Sequence, residues 1–163
     1  MKILFSPSEG KTSDSPIKKP LNSVLFQPSL FHKRDEVIAR YEKLLKNGTF
    51  LELSKLFGLK AEKEVEALRA LSPTCSSLQE AILRYTGVAY DYLSYETLSS
   101  EAQAFIKGNV IIFSNLLGPI LAGDAIPNYK LKQGEKIDGF MPERHYKEAF
   151  SPALDTFLEG ALI

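Results

Sequence analysis

The residues able to do chemistry lie in two distant stretches. The first is ILFSPSEGKTSDSP, residues 3–16, where Ser8, Glu9, Lys11 and Thr12 crowd behind a short apolar run. Gly10-Lys11-Thr12 copies the closing half of a phosphate-binding loop. The opening half is absent. Phe5 stands where the first glycine belongs, and Pro7 removes an N–H from a loop that works by aiming N–H groups at phosphate. The segment after Lys11 carries Pro16 and Pro20 instead of a helix that could face an anion. A nucleotide loop is therefore excluded, yet a lysine and a carboxylate just past a strand still need a use. The second stretch is residues 109–134, with Ser114, Asn115, Asp124, Tyr129 and Lys130.

These two stretches meet if their strands are parallel neighbours, because ligands of open α/β sheets bind beyond the carboxyl ends of strands. The expected cluster is then Ser8, Glu9, Lys11, Thr12, Ser114, Asn115, Asp124, Tyr129 and Lys130. Cations beside carboxylates can hold a small anionic ligand or tune a general base. The plainer alternative is a solvated Lys11–Glu9 pair that does little. No catalytic motif is recognisable, so catalytic residues stay unassigned.

Around these stretches the elements read as follows. Residues 1–6 form a strand, and residues 7–30, broken by prolines, form a long loop. Val37, Ile38, Tyr41, Leu44 and Leu45 give helical spacing over 34–46, stopped by Asn47-Gly48. Residues 49–71 read as two helices joined at Gly58. Residues 77–85 read as a short helix, 88–92 as extended chain, and 99–107 as a helix. NVIIFS, residues 109–114, is a β-branched apolar run expected in a central strand. Residues 115–124 turn, 125–134 form another strand, and Pro142 and Pro152 each open a short helix. The apolar end GALI resembles an interrupted strand, which suggests a chain lacking a C-terminal part. The whole reads as one mixed α/β domain over 1–163, a central sheet with surrounding helices and a helical hairpin.

Composition narrows the classes. Twenty basic and twenty acidic residues leave no net charge, against a strongly basic nucleic-acid protein but not against a local basic face. One cysteine, Cys75, excludes an internal disulfide framework and fits a reducing compartment. No apolar run is long enough for a membrane span, and there is no secretory pattern at the N-terminus. Together these favour a cytoplasmic location. Cys75 has no neighbouring cation to make a reactive thiolate, and His145 has no nearby His or Cys to share a metal. Neither a metal site nor a cofactor is expected. Tyr85, Tyr90, Tyr92 and Tyr95, with Asp91 and Glu96, read as core and rim packing.

Three motifs in order, MKILFSPSEGKT, YTGVAYDYLSYETLS and VIIFSNLLGPILAGDAIPNYKLKQG, resemble the YaaA family of bacterial peroxide-stress proteins. The resemblance spans nearly the whole chain. It implies a mixed α/β fold unlike the common superfolds. It also implies a role in lowering free iron and limiting DNA damage under peroxide stress. Family members are described as DNA-binding through a helix-hairpin-helix-like element, which places that element at 49–71 here. Lys55, Gly58, Lys60, Lys63 and Arg69 are then the candidate DNA contacts, reading structure and phosphates rather than base sequence. Glu62, Glu64 and Glu66 on the same helix oppose this, and a plain packed hairpin is the alternative. The chain departs from the family at Leu117, where a tyrosine is usual, and at Lys130, where an arginine fork is usual. Direct iron handling is a third and weaker alternative; it requires converging carboxylates. The oligomeric state is not legible.

Overall fold

The apolar stripe of α1 (Phe31–Asn47) buries Val37, Ile38, Tyr41 and Leu45 completely or nearly so. Against it pack α2 (Phe50–Phe57) through Leu53, Leu56 and Phe57, and α3 (Glu62–Arg69) through Val65. A capping box starts α2: Thr49 Oγ1 accepts from Glu52 N at 3.3 Å, and Glu52 Oε2 accepts from Thr49 N at 2.7 Å. These features come from a computed structural model that describes residues 1–23 and 25–162.

Two small sheets stand beside the helices. In the first, β1 (Ile3–Phe5) runs parallel to β3 (Val110–Ser114), and β4 (Gly118–Leu121) returns antiparallel on the far side of β3. The register pairs Phe5 with Ile112 and Ser114 with Gly118. Being central, β3 buries Val110, Ile111 and Ile112 on both faces, which explains its unbroken apolar run. The second sheet pairs β2 (Leu78–Glu80) antiparallel with β5 (Ala125–Pro127). Between them lie α4 (Ala81–Arg84), α5 (Val88–Leu93) and α6 (Ser100–Asn109), and α7 (Pro142–Leu158) closes the order. The fold is mixed α/β.

Several elements differ from the sequence reading. Residues 78–80 are a strand rather than the start of a helix, because Leu78 exchanges hydrogen bonds with Ile17 on one side and β5 pairs on the other. Residues 88–93 are helical rather than extended: the Gly87 carbonyl accepts from Tyr90 N and Asp91 N, both at 2.9 Å. Residues 118–121, expected as turn, form β4, and the expected strand at 125–134 stops at Pro127. One helix runs through Pro152, which offers no N–H to the Glu148 carbonyl one turn earlier, and beside it Ser151 Oγ donates to the Lys147 carbonyl at 2.6 Å. The C-terminal GALI is not a strand as far as Leu162, whose carbonyl accepts from Lys2 N at 2.7 Å. Its last residue, Ile163, lies outside the described residues.

A buried charge ties these layers together. Arg34 of α1 has no exposed surface. Its Nε donates to the Leu117 carbonyl at 2.8 Å, and one terminal nitrogen donates to the Pro119 carbonyl at 2.7 Å. The guanidinium lies 4.5 Å from the centre of the Phe150 ring on α7. Burial lowers its pKa to about 10, which leaves it charged at neutral pH. Tyr146 of α7 adds a bond from its hydroxyl to the Leu116 carbonyl at 2.6 Å. The same ring bars a side chain at Gly118: a Cβ there would sit 2.6 Å from it, and φ is +72°. Arg34→Met keeps the stem and removes the donors. Two buried carbonyls then lack partners, and urea titration is expected to show a loss of roughly 2–4 kcal/mol.

Candidate functional site

Because β1 and β3 are parallel and in register, the chain leaves both at the same edge of the sheet. Residues 6–12 follow β1, and the tight turn of residues 115–117 follows β3. The first loop is not a phosphate nest. Its backbone is committed to the segment after α4: Thr12 N donates to the Arg84 carbonyl at 2.8 Å, and Thr86 N donates to the Gly10 carbonyl at 3.1 Å. A Cβ on Gly10 would stand 2.6 Å from Thr86 Oγ1, so a larger residue there would have to turn the Thr86 hydroxyl aside. Lys11 is thereby delivered against Tyr85.

The Lys11 ammonium rests 4.1 Å above the Tyr129 ring and 5.0 Å from that of Tyr85. It donates to the carbonyls of Ser8 at 3.2 Å and Glu9 at 3.4 Å. Burial first, and the neighbouring Lys130 second, pull its pKa down to about 7. The Glu9 carboxylate does not neutralise it by contact. That carboxylate accepts instead from Lys130 Nζ at 2.9 Å and from Gln133 N at 3.2 Å, and these bonds hold it below the usual carboxylate range.

Beneath the lysine runs a chain of hydroxyls. Ser114 Oγ accepts from Leu117 N at 2.9 Å and Leu116 N at 3.3 Å. Its proton is then left for Tyr129 Oη, 2.7 Å away. Tyr129 Oη lies 2.9 Å from Tyr85 Oη and also donates to Asn115 Oδ1 at 3.4 Å. Burial raises both tyrosine pKa values, so both stay protonated at neutral pH. Tyr41 of α1 secures the far wall with a 2.8 Å bond to the Lys130 carbonyl, and Asn115 Nδ2 does the same at Leu131 at 2.7 Å.

A cavity of about 310 Å³ opens over this edge, lined by Ser6, Pro7, Ser8, Glu9, Asn115 and Gln133. It shares Pro7, Asn115 and Gln133 with a larger groove of about 420 Å³ that reaches Phe113 and α7. Ser8, Glu9, Asn115 and Ser114 thus meet on the walls, with Lys11, Tyr129 and Lys130 bonded behind them. Thr12 turns away, donating to the Leu83 carbonyl at 3.3 Å. Asp124 does not join the cluster, contrary to the sequence reading. Its carboxylate accepts from Phe26 N at 2.7 Å and Leu121 N at 2.9 Å, and its nearest cationic influence is Arg34. Tyr85, Gln133 and Phe113 were missed. Their only signal was membership in the second and third motifs, because nothing in spacing links residue 85 to residue 11.

The hairpin is present as α2, a turn in which Gly58 adopts φ +69°, and α3. Lys60 and Lys63 are exposed. Lys55 faces Glu135 at 3.6 Å. Arg69, expected among the DNA contacts, is largely engaged within the fold. It donates to the Leu45 carbonyl at 2.8 Å and the Gly48 carbonyl at 3.0 Å, closing the end of α1. His145 bonds to the Lys33 carbonyl at 2.9 Å, and Cys75 is exposed and unpaired. Among the described residues no three His, Cys, Asp or Glu side chains converge as metal ligands, so the iron-handling alternative has no carboxylate cluster behind it. Among them, too, no helix is long and apolar enough to cross a membrane.

A family model described as peroxide stress protein YaaA matches residues 1–162. The chain belongs to the YaaA family of peroxide-stress proteins. An uncharacterized protein of Campylobacter jejuni is 47% identical over 98% of this chain and 65% of its own length. UPF0246 proteins of Corynebacterium efficiens and Corynebacterium glutamicum are 34% and 38% identical, over 85% and 84% of this chain. The chain spans 54% and 53% of those two relatives. Where this YaaA-family chain carries Leu117, the side chain is buried in the core, and Lys130 offers Glu9 a single ammonium contact.

Burial raises the Asp124 pKa from 3.8 to about 6 despite its two N–H partners. The folded state therefore binds more protons than the unfolded chain between these values, and stability falls as pH rises through them. Melting curves from pH 4 to pH 7 are expected to show this decline in the wild type and its absence in Asp124→Asn.

Proposed function

We propose that this peroxide-stress-family chain binds a small anionic ligand at the cleft beyond β1 and β3. The observation that carries the reading is the pairing of two close lysines with one carboxylate: Lys130 is neutralised by Glu9, and Lys11 is not. Burial and Lys130 leave the Lys11 ammonium only partly charged at neutral pH, and an anion beside the two lysines would favour its protonated form and remove the repulsion between them. The hydroxyls of Ser114 and Tyr129 are spent on each other and on Asn115, so they fix the floor beneath Lys11, and an enzymatic step on the ligand belongs to the same reading through the Lys11 amine. Isothermal titration with citrate at low salt tests it. Saturable binding is expected, weakened about tenfold or more by Lys130→Met and by Lys11→Met, as loss of a charge-assisted bond implies. Unchanged affinity in both variants would sink the idea.

A second reading is that the chain binds DNA and helps limit iron-dependent damage to it in the cytoplasm. It is favoured by the cations around the hairpin turn: Lys60 and Lys63 are exposed, and the stem of Lys132 passes 3.1 Å from the position of a Gly58 Cβ. Contacts of this kind read phosphate and shape, not sequence. Fluorescence anisotropy on duplex, single-stranded and branched DNA across a salt series separates the readings. Salt-dependent binding lost in Lys60→Glu/Lys63→Glu but kept in Lys11→Met is the expected result. Absence of binding to every form at low salt argues against the hairpin as a DNA element.

A further inference from the structure

We propose that the Glu9 carboxylate occupies a ligand's own seat. An organic anion with a flat apolar body displaces it, placing its head on Lys130 Nζ and Gln133 N–H and its body along Pro7 and Phe113. The proposal rests on the anionic-ligand reading above and adds the position, the body and the competitor.

Three observations converge on it. First, Glu9 makes the contacts an incoming carboxylate or phosphate would make, an ammonium at 2.9 Å and a backbone N–H at 3.2 Å. Second, the two partners differ in burial. The Glu9 side chain is 46% exposed and that of Lys130 only 20%. Glu9 can swing into water at small cost. Lys130 is the more enclosed of the two, its backbone carbonyl held by Tyr41, and once Glu9 leaves, the ammonium gains from another anion. Third, the cavity that Glu9 lines shares Pro7, Asn115 and Gln133 with the larger groove. In that groove Phe113 is 41% exposed while Val110, Ile111 and Ile112 of the same strand are buried. Phe113 pairs across β3–β4 with Pro119, so a flat ring would meet Phe113, Pro119 and Pro7 along one wall. Asn115 stands at the junction, its amide spent on Leu131 and Tyr129, which fixes the wall between head and body. Farther along, exposed Glu143 and Lys147 bring opposite charges, and Glu135 is held by Lys55, so the groove adds no net repulsion of its own beyond Glu9.

The test is titration calorimetry of the full 163-residue chain with inorganic phosphate, phenyl phosphate and benzoate. Wild type is expected to bind a ring-bearing anion more tightly than inorganic phosphate. Glu9→Ala is expected to tighten that anion about tenfold, because the competent, unplugged state becomes the whole population. Glu9→Gln, which preserves the shape and the Gln133 bond, is expected to move in the same direction by less, and it carries the test if the alanine variant is unfolded. Lys130→Met should abolish binding, and Phe113→Ala should bring phenyl phosphate down to the level of inorganic phosphate. Preference for phenyl phosphate over benzoate marks a phosphate ester as the ligand class; the reverse marks an aromatic acid. If anions bind in a Lys130-dependent way but neither Glu9 variant tightens them, the plug is wrong and the anion site stands. If neither wild type nor Glu9→Ala binds any of the three probes, both proposals fall.

Discussion

The molecule is organised around a guanidinium that water never reaches. Arg34 stands inside the apolar face of α1, where a charge is costly unless every donor has a partner. Its partners are the carbonyls of Leu117, in the turn after β3, of Pro119, at the start of β4, and of Gln27. A two-stranded return such as β3–β4 exposes carbonyls at its outer edge, and a buried arginine is one of few groups that can satisfy two of them at once. Once α1 is fixed against this turn, α7 has its place too, through Phe150 over the guanidinium and Tyr146 over Gly118. The position of Ser114 follows, since its hydroxyl is held by two N–H groups of the same turn.

The cleft inherits its geometry from that arrangement. A parallel β1–β3 pair places the two polar loops at one edge, and α1 supports the opposite wall with Tyr41 on Lys130. The resulting charge pattern is unequal. One lysine has a carboxylate, and the other has only carbonyl oxygens and ring faces. Desolvation is therefore felt most by Lys11, the group with no ionic partner in contact. Such an arrangement adds little to stability, which is why this edge carries the anionic-ligand proposal.

The hairpin has a different economy. Its helices are packed by Leu53, Leu56, Phe57 and Val65, and Arg69 is used to close α1 rather than to meet a partner. Around its turn exposed Lys60 and Lys63 alternate with exposed Glu62 and Glu64 of the first turn of α3, which suit the positive end of a helix. Structural demands thus consume part of the residue set that a sequence reading assigns to DNA.

Local signals in the chain were enough for α1, the hairpin helices, the central strand and the absence of a nucleotide loop, because periodicity, Gly and Pro act within a few residues. They were also enough to propose that residues 8–11 and 114–130 meet. They failed at Leu78–Glu80 and Gly118–Leu121, whose strand character comes from partners far along the chain. The same limit governed the site. Asp124 has a catalytic residue type and a loop position, but tertiary packing aims it at Phe26 N and Leu121 N. Tyr85 has an ordinary local context, yet packing makes it a wall of the Lys11 pocket. Residue type and local pattern determined what chemistry was on hand; which groups share a desolvated space was decided only by long-range pairing, because burial and charge coupling are properties of the assembled neighbourhood.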